Sequence, residues 1–356
     1  MDEFMNSLEQ LRLEVEQNKE SNVKARRVLL DGDPSTNVND YIQKLSYVSN
    51  VDETLIYALK GIVENIELPS DTRISALEKL IDCIAENEDL LNWLFSIISA
   101  TQETDELREF GLELLQRISF GSSALQSQRP AYTAVLKQLV TDKNLSLAGS
   151  ALTTLATNKD PEAQSILIDG IRNPGRSLVP VSRAIQLLGT DVKGGHKAVI
   201  EEALQSALGT TEPVNSDFRF NLKNAMPPKE NNKVIIEALY ALAADNDHSG
   251  LIAGIAADKA LTRDVRTNAI NLIKAPAELA GLAKQIIDDP EEDTQIQLSC
   301  MNALLHNSDA PFLYEDVDLN RTVQRIAAKS VLFRNASEKY FQQQNLSLDS
   351  DMEMGV

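Results

Sequence analysis

At 356 residues the chain is long enough for two or three globular domains, or for one array of stacked repeats that grows without enlarging a single core. With 34 Lys and Arg against 53 Asp and Glu its formal charge is −19, a field that repels phosphate backbones and anionic lipid heads and argues against nucleic acid and membrane surfaces as partners. Aromatic residues make up 5% of the chain, so few flat platforms exist for stacking bases, and the two cysteines, Cys83 and Cys300, stand too far apart for a CxxC or Cys/His metal spacing.

The start, MDEFMNSLEQLRLEVEQNKE, lacks the basic leader and continuous apolar run of a signal peptide, and no stretch approaches the roughly 18 uninterrupted apolar residues of a membrane span. The expected location is the cytoplasm. Residues 1–30 read as a charged helix with Leu8, Leu11 and Val15 on one face, broken by DGDPSTN at 31–37, and residues 1–50 are expected to form a helical cap or a mobile segment. In DGDPSTN, Asp31, Asp33 and Ser35 imitate the opening of a calcium loop, but Thr36 takes the glycine position and Ile42 the closing glutamate position, so an Asx turn is the better reading.

From residue 51 a template recurs: a small residue, an aliphatic directly after it, and another aliphatic three further on. It is met at Ala76, Gly111, Ala151, Ala184, Ala238, Ala269 and Cys300, and more weakly at Ala327, with intervals of 35, 40, 33, 54, 31, 31 and 27 residues. Each interval is long enough for two helices and their turns, the signature of a solenoid. In the 54-residue gap, FNLKNAM, with Leu222, Ala225 and Met226 before Pro227 and Pro228, is the candidate for a degenerate unit. Helices of plain aliphatic periodicity fill the intervals at 90–98, 131–140, 161–171, 196–208, 249–260 and 276–287, two of them opening with proline as a first helical turn tolerates. The end, QQQNLSLDSDMEMGV, has few core formers, and disorder is expected from about residue 345.

DVRTNAINLI at 264–273, with Asp264, Val265, Arg266 and Ala269, resembles the second helix of HEAT and HEAT-like repeats. Asp71, Arg73 and Ala76 match in part, as do Leu107, Arg108 and Gly111, while Ala148, Val181, Ile235, Gln297 and Gln324 stand in the arginine slot elsewhere. The resemblance covers residues 52–335 and implies an all-α, right-handed α-α superhelix of about eight or nine two-helix repeats, spanning 51–344. A small residue lets crossing helices approach, and Arg73, Arg108 and Arg266 are expected to bind carbonyls or acids between adjacent repeats.

Residues one before and two after each anchor lie three apart, hence on one helical face. They read Ser75 and Glu78, Phe110 and Glu113, Ser150 and Thr153, Arg183 and Gln186, Glu237 and Tyr240, Asn268 and Asn271, Ser299 and Asn302, Ile326 and Lys329. In HEAT-like solenoids second helices line the concave side, so Glu78, Glu113, Arg183, Gln186, Glu237, Tyr240, Asn268, Asn271 and Asn302 form a candidate face for another protein, one with a basic segment.

No catalytic, cofactor or metal set is read. His196, His248 and His306 occur singly near helix ends and read as solvent-facing turn residues; Gly194 and Gly195 lack the strand and closing Lys-Ser or Lys-Thr of a phosphate loop; DDPEED at 288–293 reads as a solvated helix cap. KARR at 24–27 is offset by acids in the same segment. Cys83 and Cys300 read as small buried hydrophobes. The expectation is a non-catalytic protein-binding scaffold. The HEAT-like resemblance also admits a bilin lyase or isomerase or its chaperone, and a DNA-repair glycosylase, the last opposed by the charge.

Overall fold

The computed structural model describes residues 2–31, 37–45, 48, 52–118, 121–191, 195–209, 222–244, 246–306 and 315–353, with side chains from residue 16 to residue 343. Most of the DGDPSTN turn, residues 32–36, lies outside them, as does Gly194. Among the described residues every regular element is a helix. No helix among them is long and apolar enough to cross a membrane. The helices fall into two compact units, Met1–Asn158 and Lys159–Val356.

In the first unit the helices are α1 (Asp2–Asp31), α2 (Val38–Gln43), α3 (Glu53–Glu64), α4 (Ser70–Lys79), α5 (Ile81–Glu86), α6 (Glu88–Ser99), α7 (Asp105–Ile118), α8 (Ser123–Ser127), α9 (Arg129–Leu139) and α10 (Leu145–Thr157). Neighbours in sequence pack as pairs, α1 with α2, α3 with α4, α6 with α7 and α9 with α10, and the second members stack in the order α2, α4, α7, α10. The template helices are these second members. Their anchors are fully covered at Ala76 and Ala151, and at Gly111 an added Cβ would stand 2.8 Å from Ile98 Cγ1, which is why nothing larger than a hydrogen sits there.

The second unit holds α11 (Pro161–Arg172), α12 (Val181–Gly189), α13 (Lys197–Leu208), α14 (Leu222–Ala225), α15 (Pro228–Leu242), α16 (Ser249–Ala257), α17 (Arg263–Leu272), α18 (Pro276–Asp288), α19 (Thr294–His306), α20 (Val317–Ala327) and α21 (Val331–Glu353). Here α11 pairs with α12, α13 with α15, α16 with α17, α18 with α19 and α20 with α21, and α12, α15, α17, α19 and α21 stack in that order. FNLKNAM is not a further unit: α14 is one turn lying against α13 and α15, and α12 packs directly on α15. The long interval holds one pair, α13 with α15, and Gly209, whose φ of +71° lies in the left-handed region that glycine adopts without strain, closes α13.

The last template match is also corrected. QRIAAKSV ends α20, a first member stacked on α18, so Ala327 is no anchor and Ile326 is buried rather than on an open face. The second member is α21, where Phe333, Ala336, Ser337 and Tyr340 are buried and Ser337 Oγ donates to Val323 O at 3.0 Å. The anchor is Ala336, 36 residues after Cys300. The slot three residues before it holds Phe333, and Gln324 is exposed on α20. The backbone of α21 continues as helix to Glu353, through the acidic end for which composition gives an expectation of disorder.

Three arginines repeat one arrangement. Arg73 Nε donates to Val63 O at 2.6 Å, Arg108 Nε to Ile98 O and Arg266 Nε to Ala256 O, both at 2.9 Å. Each carbonyl belongs to the last turn of the first helix of the same pair, where backbone oxygens have no helical partner and the dipole favours a cation. The other nitrogens reach an acid in the turn of the next pair: Arg73 Nη2 to Glu103 at 2.6 Å, Arg108 to Asp142, and Arg266 to Glu292 through two bonds of 2.8 and 2.7 Å. One side chain therefore closes its own helical hairpin and fastens the following one.

Gln297 performs the same task with the charge moved to its partner. Its Nε2 donates to Ile286, Ile287 and Asp289 carbonyls, and its Oε1 accepts from Lys329 Nζ at 2.7 Å in the next turn. Where the slot is Ile235, Asn231 one turn earlier takes over and donates Nδ2 to Ala207 O at 3.0 Å. The run at 288–293 is only partly a solvated cap. Asp293 Oδ1 accepts from Gln295 N and Ile296 N as a cap does, but Glu292 is buried against Arg266, and Asp288 accepts from Thr322 and Arg325 of α20.

Candidate functional site

The face offered by the second helices was built from two register positions, and the structure separates its members. Glu78 and Glu113 in the first unit, and Arg183, Gln186, Tyr240, Asn271 and Asn302 in the second, are exposed; Glu237 and Asn268 are half-buried. Lys329 leaves the set because it serves Gln297 from the turn after α20.

Several of these positions are joined helix to helix. In the first unit Gln43 Nε2 donates to Ser75 Oγ at 3.2 Å between α2 and α4, and Gln116 Nε2 donates to Thr154 Oγ1 at 2.9 Å between α7 and α10. In the second unit the Tyr240 hydroxyl donates to Asn268 Oδ1 at 2.9 Å, and Asn268 Nδ2 returns to Asp264 O at 2.8 Å. Arg183 Nη1 donates to Gln186 Oε1 within α12. The polar run Arg183, Gln186, Glu237, Tyr240, Asn268 thus crosses three stacked helices, α12, α15 and α17. Gln43, Gln116 and Thr154 were not among the residues singled out from spacing, because hydrogen bonding between neighbouring helices leaves no mark in the period of one helix.

Glu237 stands apart from the rest of the run. Burial raises its carboxyl pKa, an effect the neighbouring Arg183 charge offsets in part, and among the described residues nothing donates a hydrogen bond to it. Elsewhere the displaced carboxylates have partners: hydrogen bonds from Arg108 hold Asp142 low, those from Arg266 hold Glu292 low, and Lys284 does the same for Asp316.

The groups that sequence alone leaves as possible chemistry take other places. His248 is not solvent-facing: its side chain is 14% exposed, with Nε2 3.6 Å from Glu201 Oε2, because the short connection before α16 folds it onto α13. His196 is half-buried, and His306 is exposed, with Nδ1 2.7 Å from Asn302 O. Both thiols are buried, and burial is the main cause that pushes Cys83 up to about 11 and Cys300 up to about 12, where the nucleophilic thiolate is scarce at neutral pH. The expected result is that neither thiol reacts with a disulfide reagent at pH 8 in the folded chain and that both react after unfolding in guanidinium, read as thiol equivalents released.

No protein-family model matches the chain and no curated protein matches it, so what this polar face does has to be argued from its own residues.

Proposed function

We propose that the chain is a non-catalytic, HEAT-like α-solenoid, a right-handed superhelix of about eight or nine two-helix repeats, that binds another protein along the face lined by its second helices. The observation that carries this reading is the recurrence of an exposed polar side chain two residues after the anchor on six of the second helices, at Glu78, Glu113, Gln186, Tyr240, Asn271 and Asn302. A surface that repeats in step with the stack engages an extended partner over several repeats, which is how solenoids commonly bind. The net charge of −19 favours a partner with a basic segment, both in orienting the encounter and in raising its rate. The non-catalytic reading rests on the ionisable groups described above: Arg73, Arg108 and Arg266 are occupied in holding pairs together, and burial pushes both thiols away from reactivity.

A library of displayed linear peptides selected on the immobilised full chain tests the reading. Enrichment of basic sequences is expected, and exchanging both Glu78 and Glu113 for lysine should weaken their binding about tenfold while leaving the thermal midpoint unchanged, since both side chains are exposed. Failure to enrich any sequence over a blank surface would exclude the proposal.

A further inference from the structure

Between α12 and α15 lies an open groove of about 370 Å³ lined by Gln186, Gly189, Thr190, Glu237, Tyr240 and Ala241. Gly189 and Ala241 bring the two helices into close contact along it, and a Cβ added at Gly189 would fall 2.7 Å from Ala241 Cβ. The floor is apolar and narrow. One wall carries the half-buried Glu237 carboxylate, whose lone pairs receive no hydrogen bond from any described residue. The charge of Arg183 acts on it, but Arg183 spends a guanidinium nitrogen on Gln186 and reaches Glu237 through its field alone. Beside it, one turn further along the same helix, stands the Tyr240 ring, 53% exposed, with its hydroxyl fastened to Asn268 so that the ring is held in place rather than free to rotate away.

A carboxylate withdrawn from water without a donor costs free energy that a cationic donor recovers. A fixed aromatic face beside it attracts the same cation, and an apolar floor suits a hydrocarbon stem. These three features describe one kind of guest. Resting on the reading of the chain as a protein-binding solenoid, we propose that this groove receives an arginine side chain of the partner protein, with the guanidinium paired to Glu237, its plane against Tyr240 and its methylene stem over Gly189 and Ala241. Arginine fits better than lysine because a planar fork pairs with a carboxylate while lying flat on a ring, which a compact ammonium does not do. The overall negative charge of the chain draws such a partner in, and Glu237 gives it a register.

Fluorescence anisotropy of labelled hexa-arginine, hexa-lysine and hexa-glutamate peptides with the full chain at physiological salt tests the assignment. Hexa-arginine should bind, hexa-lysine more weakly and hexa-glutamate not at all. Glu237→Gln should weaken hexa-arginine about tenfold and Tyr240→Ala about fivefold, whereas Glu291→Gln, which removes the same charge from an exposed turn off the second-helix face, should change it less than about twofold. Unchanged thermal midpoints for Glu237→Gln and Tyr240→Ala separate loss of the site from loss of the fold. Equal weakening by Glu237→Gln and Glu291→Gln would mean diffuse attraction to an acidic surface and would overturn the groove, as would failure of hexa-arginine to bind. The peptide selection keeps the two ideas apart: enriched sequences that bind equally well to Glu237→Gln sink the arginine groove and leave the scaffold reading standing.

Discussion

Replacing Arg266 with alanine is expected to cost about 3–5 kcal/mol of stability, the range for removing one partner of a buried ion pair. Arg266 and Glu292 are 5% and 3% exposed in their side chains, and two parallel hydrogen bonds join them. The substitution leaves a carboxylate buried without a cation and strips Ala256 O, at the end of α16, of its donor. Urea unfolding followed by circular dichroism measures the effect; the only tryptophan, Trp93, belongs to the other unit and reports on different helices. Arg73→Ala and Arg108→Ala should cost less, because their acids Glu103 and Asp142 are 14% and 11% exposed and water relieves them when the arginine is gone. A loss below about 1 kcal/mol for Arg266→Ala would remove the pair from any structural role.

The same pair fixes a pH dependence. Hydrogen bonds from Arg266 hold the Glu292 carboxyl below the ordinary value of 4.5 in the folded chain. A depressed folded value means stability that is present above the unfolded value and is lost as pH falls through the folded one. Glu292→Gln should therefore flatten the acid limb of the thermal midpoint below about pH 4.5. Exchanging the pair for Met at 266 and Leu at 292 should recover most of the loss at neutral pH, since an apolar pair of similar volume avoids the desolvation that the ions bear.

The sequence displayed helix identity well and helix partnership unevenly. Ala76, Ala151, Ala184, Ala238, Ala269 and Cys300 announce second helices because close packing at a crossing excludes larger side chains, and that restriction is written in residue size. Arg266 could be read as structural because the same residue type recurs at Arg73 and Arg108. Its acid could not: Glu292 lies 26 residues away inside DDPEED, where nothing in composition separates the one buried carboxylate from its solvated neighbours. Gln297 stood outside the pattern for the same reason, since the charge that completes its interaction sits on Lys329 in another pair. Local period encodes which face of a helix is covered; which residue covers it is a matter of stacking order, and the register error at Ala327 shows how far a match in local spacing alone can mislead.

Phe333→Ala is expected to cost about 3–5 kcal/mol, and Gln324→Ala to stay within about 0.5 kcal/mol. The sequence template assigns the slot of the last repeat to Gln324, whereas α21, not α20, is the helix stacked on α19, which moves the slot to Phe333. Phe333 is fully covered, and truncating it removes ring contacts and leaves a void beneath α21; Gln324 is exposed and its loss frees no buried group. The two substitutions thus weigh one frame against the other in the same unit by urea midpoint. A large effect at Gln324 with a small one at Phe333 would restore the template's own frame and, with it, Ile326 and Lys329 to the open face. The expected order carries that face on to Asn335 and Glu338 of α21, exposed one before and two after Ala336, and leaves the Lys329 ammonium, bonded to Gln297, as a fastening between the last two pairs rather than a contact for a partner.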